Sequence, residues 1–276
     1  MTLTIGFSPC PNDTFIFDAL VNKKIDTKGI DFEAILEDVE TLNTNALCGK
    51  LDVTKISYGV YPLLTDHYSL LNSGSALGTG VGPLLVAKTH LDLTDPNCKV
   101  AIPGKNTTAH LLFSLAYPHI TNKVFLRYDE IENFVLQNDE NVAGVIIHEN
   151  RFTYQDRGLT KIMDLGEYWQ KETGSAIPLG GIVAKNTLPP EVISMVDGLI
   201  KQSIQYSYDQ YPVLSTYVKD HAQEMDESVM RKHIDLYVNE FSLDLGSTGK
   251  KAIETLLAVF NTLNTPQAEP INGQGF

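Results

Sequence analysis

The sequence predicts an α/β protein with two lobes around a central cleft, and three observations support that prediction. Short apolar runs alternate with helical patterns from the start of the chain, which is typical of a parallel sheet. The strand pattern Pro-Leu-Leu-Val-Ala-Lys at residues 83–88 is echoed by Pro-Leu-Gly-Gly-Ile-Val-Ala-Lys at 178–185, and the two bracket a further α/β unit. The last third of the chain has helical periodicity. We therefore expect a discontinuous first lobe, residues 1–87 and 181–276, and an inserted second lobe, residues 88–180.

The first predicted strand leads into a turn that contains two prolines. Residues 3–7 are apolar, and residues 8–15 read Ser-Pro-Cys-Pro-Asn-Asp-Thr-Phe. Because the prolines end the strand and Asn, Asp and Thr commonly cap helices, we expect a helix to begin near residues 12–14. Its free N–H groups then lie at the carboxyl end of the strand, the edge where α/β proteins bind ligands. A rigid, purely structural turn is the alternative that this motif alone leaves open.

The remaining elements of the first lobe follow in order. Residues 28–36 alternate between apolar and polar side chains, the period of a half-buried strand, and residues 39–47 have a helical pattern. Residues 51–57 are rich in β-branched side chains and predict a third strand. The small residues at 70–82 allow this segment to pass close to a ligand or to another backbone.

The second lobe begins with a strand, a glycine-bearing turn and a helix. Residues 99–103 predict the strand, and residues 109–117 predict the helix. Between them, Gly-Lys-Asn-Thr-Thr resembles an anion site, in which backbone N–H groups and the positive end of the helix dipole face a ligand. Helix capping by Thr107 or Thr108 explains the same residues without any ligand.

A buried strand near the middle of the chain runs into a histidine. Residues 123–128 predict a strand and residues 129–137 a helix, and residues 141–150 then read Asn-Val-Ala-Gly-Val-Ile-Ile-His-Glu-Asn. The apolar run places His148 at the carboxyl end of its strand. A lone histidine is more often structural than catalytic, but one at this edge is a candidate for proton transfer near neutral pH.

The last part of the chain is predicted to be helical. Apolar side chains recur at helical spacing in residues 191–208, 225–241 and 250–263, with a turn at 244–249. The tail from Thr265 is rich in Pro, Gly and Gln, and we expect it to fray.

The composition limits the partners and the compartment. The 34 acidic and 21 basic residues give a formal net charge of −13 at pH 7, which argues against nucleic-acid binding. A small anionic substrate can still be held by local backbone donors. We recognise neither a signal peptide nor a run of about 18 apolar residues, so we expect no membrane partner and a cytoplasmic location. The three cysteines lack paired or metal-ligand spacing, which indicates a reduced compartment.

The common catalytic signatures are missing from the sequence. The seven histidines form no His-x-x-x-His or His-x-His pair, so we expect no bound metal. There is neither a Gly-x-Ser-x-Gly elbow nor a dinucleotide fingerprint. Cys10 is predicted at a helix N-terminus, where a thiol pKa falls, but no base accompanies it in sequence, which favours a packing role.

Two classes of function fit a two-lobed clamp: a solute receptor, and an enzyme that closes over a small anionic substrate. The residues expected to face the cleft are Ser8, Asn12, Asp13, Lys55, Ile56 and Ser57 from the first lobe and Thr107, Thr108 and His148 from the second. A receptor is usually exported, whereas this sequence carries no export signal that we recognise. A histidine at the cleft edge suits general acid–base catalysis at neutral pH.

Three segments of the chain resemble a known family. The octapeptide at 8–15, Leu-Asp-Val-Thr-Lys-Ile-Ser at 51–57 and Gly-Val-Ile-Ile-His-Glu-Asn-Arg-Phe at 144–152 are similar to the 1,4-dihydroxy-6-naphthoate synthases of the futalosine route to menaquinone. The similarity extends over nearly the whole chain. The sister family, chorismate dehydratase, shares the fold and the pathway but is not associated with these motifs, and it stays as the alternative, beside a non-catalytic binding protein for a small carboxylate.

The resemblance implies a type II periplasmic-binding-protein-like fold that serves as a lyase. The implied substrate is cyclic dehypoxanthine futalosine, and the implied product is 1,4-dihydroxy-6-naphthoate, with the sugar-derived part released as a dihydroxyfuranone. His148 matches the proton acceptor of the family, and residues 55–57 with Thr107 and Thr108 match its substrate contacts. Neither a cofactor nor a metal is implied, and the oligomeric state is left open.

Overall fold

The computed structural model describes residues 1–138 and 141–264, which form two β-sheets flanked by helices. The strands in chain order are β1 (Thr2–Phe7), β2 (Asp31–Leu36), β3 (Val53–Ser57), β4 (Tyr68–Leu70), β5 (Ala76–Gly78), β6 (Leu84–Ala87), β7 (Lys99–Ile102), β8 (Lys123–Phe125), β9 (Val142–Ile146), β10 (Thr160–Asp164) and β11 (Ile177–Lys185).

The helices cover the faces of the sheets and make up most of the last third of the chain. They are α1 (Pro11–Val21), α2 (Val39–Leu47), α3 (Thr108–Ala116), α4 (Ile131–Gln137), α5 (Asn150–Thr153), α6 (Leu165–Thr173), α7 (Pro190–Gln210), α8 (Thr216–His221), α9 (Glu227–Tyr237), α10 (Glu240–Leu243) and α11 (Gly246–Asn264). Among the described residues, no helix combines the length and the apolar character needed to cross a bilayer.

The first sheet has the order β2-β1-β3-β11-β4, and β5 also pairs with β11. Strand β1 is parallel to both β2 and β3, which confirms the predicted parallel start of the chain. Strand β11, which follows the second sheet in the chain, pairs with β3 in the antiparallel direction and so joins the first sheet. The carboxyl ends of β1 and β3 therefore lie side by side. They bring together residues 55–57, which end β3, and Ser8, which follows β1.

The second sheet has the order β10-β6-β9-β7-β8. Its pairing departs from the predicted lobe boundaries, because β6 pairs with β9 although the sequence pattern assigns residues 84–87 to the first lobe. Strand β11 already joins the first sheet at Ile177, where it pairs with Gly78, although the pattern extends the second lobe to residue 180. A short, fully apolar strand carries no signal for which of two sheets it will join, so the domain division by residue number stays a prediction.

The first helix begins earlier than the sequence pattern indicates. Pro11 occupies the first helical turn of α1, and Cys10 is the N-cap residue, whose side chain makes no capping hydrogen bond to the helix. Proline is favoured here because its fixed φ suits the helix and its missing N–H has no intrahelical acceptor to lose. Asn12 and Asp13 are therefore buried in the first turn rather than acting as caps.

Several other elements differ from the sequence-based expectation. Strand β10 and helix α6 fill the part of the second lobe that the pattern left without elements. The helix predicted at 225–241 is divided into α9 and α10 by residues 238–239. The helix predicted from residue 250 begins at Gly246, inside the predicted turn. The tail from Thr265 lies outside the described residues.

The two lobes approach each other so closely that glycine is required at position 59. A Cβ atom on Gly59, in the turn after β3, would lie 2.7 Å from the carbonyl carbon of Thr107 at the start of α3. Such a distance is far below van der Waals contact, so a side chain at position 59 would push the lobes apart.

Hydrogen bonds hold the lobes together at the mouth of the cleft. The Glu40 carboxylate on α2 accepts hydrogen bonds from the backbone N–H and from the side-chain amide of Asn106, at 2.9 and 2.8 Å. Asn43 on the same helix donates to the Asn106 carbonyl at 3.0 Å. Further inside, the Thr108 hydroxyl accepts from the Gly59 N–H and donates to the Leu179 carbonyl. The structure therefore describes a closed cleft.

Candidate active site

A single cavity between the lobes brings all the predicted site residues together. It contains about 720 Å³ of space free of protein atoms, including its opening to solvent. Its wall includes Ser8, Asn12, Asp13, Lys55, Ile56, Ser57, Thr107, Thr108 and His148. Most of the remaining wall is apolar, a composition that suits a small, partly aromatic ligand with a few polar anchors.

Asp13 organises the first-lobe side of the cavity. Its Oδ2 atom accepts hydrogen bonds from the backbone N–H and the hydroxyl of Ser8, at 3.1 and 2.7 Å. Its Oδ1 atom accepts from the Asn12 amide at 2.9 Å and lies 3.1 Å from Lys55 Nζ. All four side chains are buried. A buried carboxylate with this many hydrogen-bond donors fixes the positions of its partners.

Lys55 and Ser57 keep donors available for a ligand. Lys55 Nζ donates to the Gly74 carbonyl at 2.9 Å in addition to its ion pair with Asp13. An ammonium group has three donors, so one remains. The Ser57 hydroxyl accepts from the Asn43 amide at 3.0 Å and retains its own proton to donate. Ile56 between them is fully buried and contributes apolar wall.

The hydroxyl groups of Thr107 and Thr108 are engaged within the protein. Thr107 is the N-cap of α3, and its hydroxyl accepts from the His110 N–H while it donates to the Gly104 carbonyl. The Thr108 hydroxyl joins the lobes, as described above. The predicted contact with an anion therefore falls to the backbone, because the first N–H groups of a helix have no intrahelical acceptor.

His148 lies just beyond β9, in the turn that follows the strand. Its φ of 56° places it in the left-handed region, which is uncommon for a residue with a side chain. Its Nε2 atom is buried and has no hydrogen-bond partner among the described residues. The ring packs edge-on against Tyr128, with ring centroids 4.9 Å apart. Burial lowers the pKa of His148 to about 4, so the imidazole is neutral at neutral pH and able to accept a proton.

Glu149 and Cys10 form a buried pair behind His148. Cys10 Sγ lies 3.9 Å from Glu149 Oε2, and Glu149 Oε1 has no partner among the described residues. Burial raises the pKa of Glu149 to about 7. Burial and the neighbouring Glu149 carboxyl raise the pKa of the Cys10 thiol, so the helix N-terminus does not activate it as a nucleophile.

These two side chains and His148 also place one potential metal-binding atom each within 4.8 Å of one another. The sequence reading missed this cluster because Cys10 is 138 residues away from His148 in the chain. The thiol and the carboxyl would both have to lose a proton before binding a metal ion. The absence of a metal therefore stays a prediction.

The sequence reading also missed His233, which lies on α9 and lines the cavity. The side chain is fully buried, and its Nε2 atom lies 2.8 Å from Asn12 Oδ1. Its ring is nearly parallel to that of His148, with an interplanar angle of 8° and centroids 6.1 Å apart. The available signal was its place on the apolar face of α9, three residues after Met230 and four before Tyr237, but a core histidine gives the same signal.

Comparisons with solved structures confirm the fold. The chain is similar to a structure of the protein AF1704 from Archaeoglobus fulgidus, with a TM-score of 0.89 and 30% identity, covering 95% of this chain and 97% of that one. It is also similar to the Candida albicans CA3427 gene product, described as having the generic periplasmic binding protein fold. That match has a TM-score of 0.65 at 12% identity and covers 97% and 92% of the two chains.

Comparisons of sequence show the family. A family model described as menaquinone biosynthesis matches residues 3–261. The chain is 45% identical over 256 residues to the 1,4-dihydroxy-6-naphthoate synthase of Thermus thermophilus, covering 93% of each protein. It is 41% identical over 261 residues to the synthase of the same name from Streptomyces coelicolor, covering 93% and 92%. The resemblance seen in the three sequence segments is therefore confirmed, and the chain belongs to the menaquinone-biosynthesis family that includes these two enzymes.

Proposed function

We propose that this enzyme is a carbon–carbon lyase that converts cyclic dehypoxanthine futalosine to 1,4-dihydroxy-6-naphthoate, with His148 as the general base. The observation that supports this most strongly is the buried Nε2 atom of the neutral His148, which lies at the wall of a closed cleft and has no hydrogen-bond partner in the described part of the chain. The names of the two relatives support the same product.

The proposed chemistry needs one base and little else. His148 removes a proton from the substrate, the carbon–carbon bond to the sugar-derived part breaks, and the electron pair of that bond passes into the ring system. The dihydroxyfuranone leaves, and His148 returns the proton to the products, so no atom is gained or lost. Aromatisation of the remaining ring system provides the driving force. A base of this kind contributes about 10²–10⁴-fold to a rate when it is correctly placed.

The rest of the cavity positions the substrate. The substrate carboxylate lies at the N-terminus of α3, where the free N–H groups and the helix dipole favour an anion. The Ser57 hydroxyl and the remaining N–H of Lys55 donate to oxygens of the substrate. The interlobe hydrogen bonds of Glu40 and Thr108 keep the cleft closed during turnover, which limits the access of water.

Incubation of the protein with its two candidate substrates tests the proposal. Cyclic dehypoxanthine futalosine and chorismate are supplied separately, and the products are identified by mass spectrometry. The naphthoate and the furanone are expected from the first substrate, in equal amounts. Dehydration of chorismate would instead assign the protein to the sister activity, and tight binding of either acid without turnover would favour a binding protein.

A further inference from the structure

His233 is a cavity residue that the proposed proton transfer does not use. Its side chain is fully buried on α9, and its ring centroid lies 6.1 Å from that of His148. One ring nitrogen, Nε2, bonds to Asn12, while the other, Nδ1, is buried with no hydrogen-bond partner among the described residues.

The hydrogen-bond network around Asn12 determines which nitrogen of His233 carries the proton. The Asp13 carboxylate, paired with Lys55, only accepts hydrogen bonds, so the Asn12 amide must turn its NH₂ group toward Asp13. The Asn12 carbonyl oxygen therefore faces His233 Nε2 at 2.8 Å. Since that oxygen only accepts, Nε2 carries the hydrogen, and Nδ1 has a free lone pair.

His233 remains in this neutral form throughout the physiological range. Burial lowers its pKa well below the usual value, and a positive charge on the nearby His148 lowers it further. Nδ1 is thus a fixed hydrogen-bond acceptor. Apart from the proposed base His148, the polar groups identified above as available to a ligand in this cavity, Ser57, Lys55 and the N-terminus of α3, are donors.

We propose that His233 Nδ1 accepts a hydrogen bond from a hydroxyl group in the sugar-derived part of the substrate and thereby orients that part against His148. This inference rests on the proposed function, because it assumes a substrate that carries both a carboxylate and hydroxyl groups. The donors of the cavity recognise the carboxylate end, and the acceptor on α9 recognises the hydroxyl end.

A purely structural histidine would not need this arrangement. The bond to Asn12 uses only Nε2, and a buried acceptor that is left unpaired destabilises the folded protein. The ligand is the natural partner for Nδ1 because the residue lines the cavity and no described protein group reaches the atom.

Two amide variants separate the two nitrogens of the ring. In His233→Gln the side-chain amide reaches the position of Nε2 and keeps a donor for Asn12, but no acceptor replaces Nδ1. In His233→Asn the amide lies near the position of Nδ1 and offers a carbonyl oxygen there, while the bond to Asn12 is lost. A structural role predicts that His233→Gln is the milder change, whereas substrate binding predicts the opposite.

The experiment measures kcat and KM of the wild type and both variants on cyclic dehypoxanthine futalosine and on its mono-deoxy analogues. We expect His233→Gln to lower kcat/KM by roughly ten- to a hundredfold, the usual effect of losing one polar contact to a substrate hydroxyl. His233→Asn is expected to retain more of the wild-type value. For the wild type, kcat/KM on one deoxy analogue is expected to be lower than on the parent substrate by a similar factor. For His233→Gln, kcat/KM is expected to be the same on that analogue as on the parent substrate.

Wild-type kcat/KM in His233→Gln would overturn the inference. The inference would also be overturned if both variants lost kcat/KM equally and still distinguished each deoxy analogue from the parent substrate as strongly as the wild type does. If the variants do not fold, the analogues still decide, because full activity of the wild type on all of them would leave Nδ1 without a role. Failure of the wild type to turn over the parent substrate would instead overturn the proposed function, and this inference with it.

Discussion

If His148 is the general base, kcat/KM should fall at a lower pH than in an enzyme whose catalytic histidine has the usual pKa. A general base works only when it is deprotonated, so kcat/KM falls as the pH drops through the pKa of the base in the free enzyme. The usual pKa of histidine is about 6.5. Burial in the closed cleft lowers the pKa of His148 to about 4, although the carboxylates of Asp13 and Asp38 act in the opposite direction.

The size of the effect at one pH follows from the two pKa values. At pH 5.5 a histidine with the usual pKa is only about one-tenth neutral, whereas one with a pKa near 4 is more than about nine-tenths neutral. The expected kcat/KM at pH 5.5 is therefore within roughly twofold of its value at pH 7.5, instead of about tenfold lower. Glu149, with a pKa of about 7, is protonated at pH 5.5 and adds no charge beside the base.

Initial rates of naphthoate formation at substrate concentrations far below KM measure this profile directly. Circular dichroism at each pH confirms that the protein is folded. Glu149→Gln serves as the matched control because it removes the neighbouring carboxyl whose pKa of about 7 lies within the pH range of the assay. We expect the same acid limb in both proteins. A limb with its midpoint near pH 6.5 in both would show that burial does not control the base and would refute the reasoning.

Four further outcomes are expected. The methyl ester of 1,4-dihydroxy-6-naphthoate should bind roughly ten- to a hundredfold more weakly than the acid, because it loses the charge held at the N-terminus of α3; calorimetry measures both affinities, and equal values would place the carboxylate elsewhere. Since the folded-state pKa of Glu149 is raised, its stabilising contribution is full below about pH 4.5 and is lost as the pH rises through about 7, a change of about 3 kcal/mol; the urea stability of Glu149→Gln relative to wild type should rise by that amount over this range, and a constant difference would contradict it. Asp13→Asn should lower the free energy of unfolding, measured by urea titration, by about 3–5 kcal/mol because it leaves Lys55 buried without its counter-ion. An unchanged free energy of unfolding would show that the ion pair is unimportant. Dialysis against a strong chelator should leave kcat unchanged, and a loss that added zinc restores would show that the Cys10 cluster binds a required metal.

Local patterns predicted the elements that depend on local forces. The parallel start of the chain follows from three short apolar strands separated by helical segments, and β1, β2 and β3 pair as that pattern requires. The position of His148 follows from the length of the apolar run before it, because a strand of that length ends just before the histidine.

The parts that the sequence could not show depend on contacts between distant segments. His233 meets Asn12 across 221 positions of the chain, and no periodicity within α9 distinguishes it from a core histidine. The Thr107 hydroxyl makes the local helix cap that the sequence left open as an alternative. The Thr108 hydroxyl, in contrast, bonds to Gly59 and Leu179, which are distant in the chain. Strand β6 joins the second sheet through its pairing with β9, which an apolar tetrapeptide cannot encode by itself.

The measurement that tests the central claim most directly separates chemistry from binding in His148→Ala. The variant and the wild type are compared for kcat on cyclic dehypoxanthine futalosine and for equilibrium binding of the naphthoate product, and His67→Ala, an exposed histidine outside the cavity, is the control. The account predicts a loss in kcat of about 10²–10⁴-fold for His148→Ala, product affinity within a few-fold of the wild type, and no change for the control. A wild-type kcat in His148→Ala would contradict it.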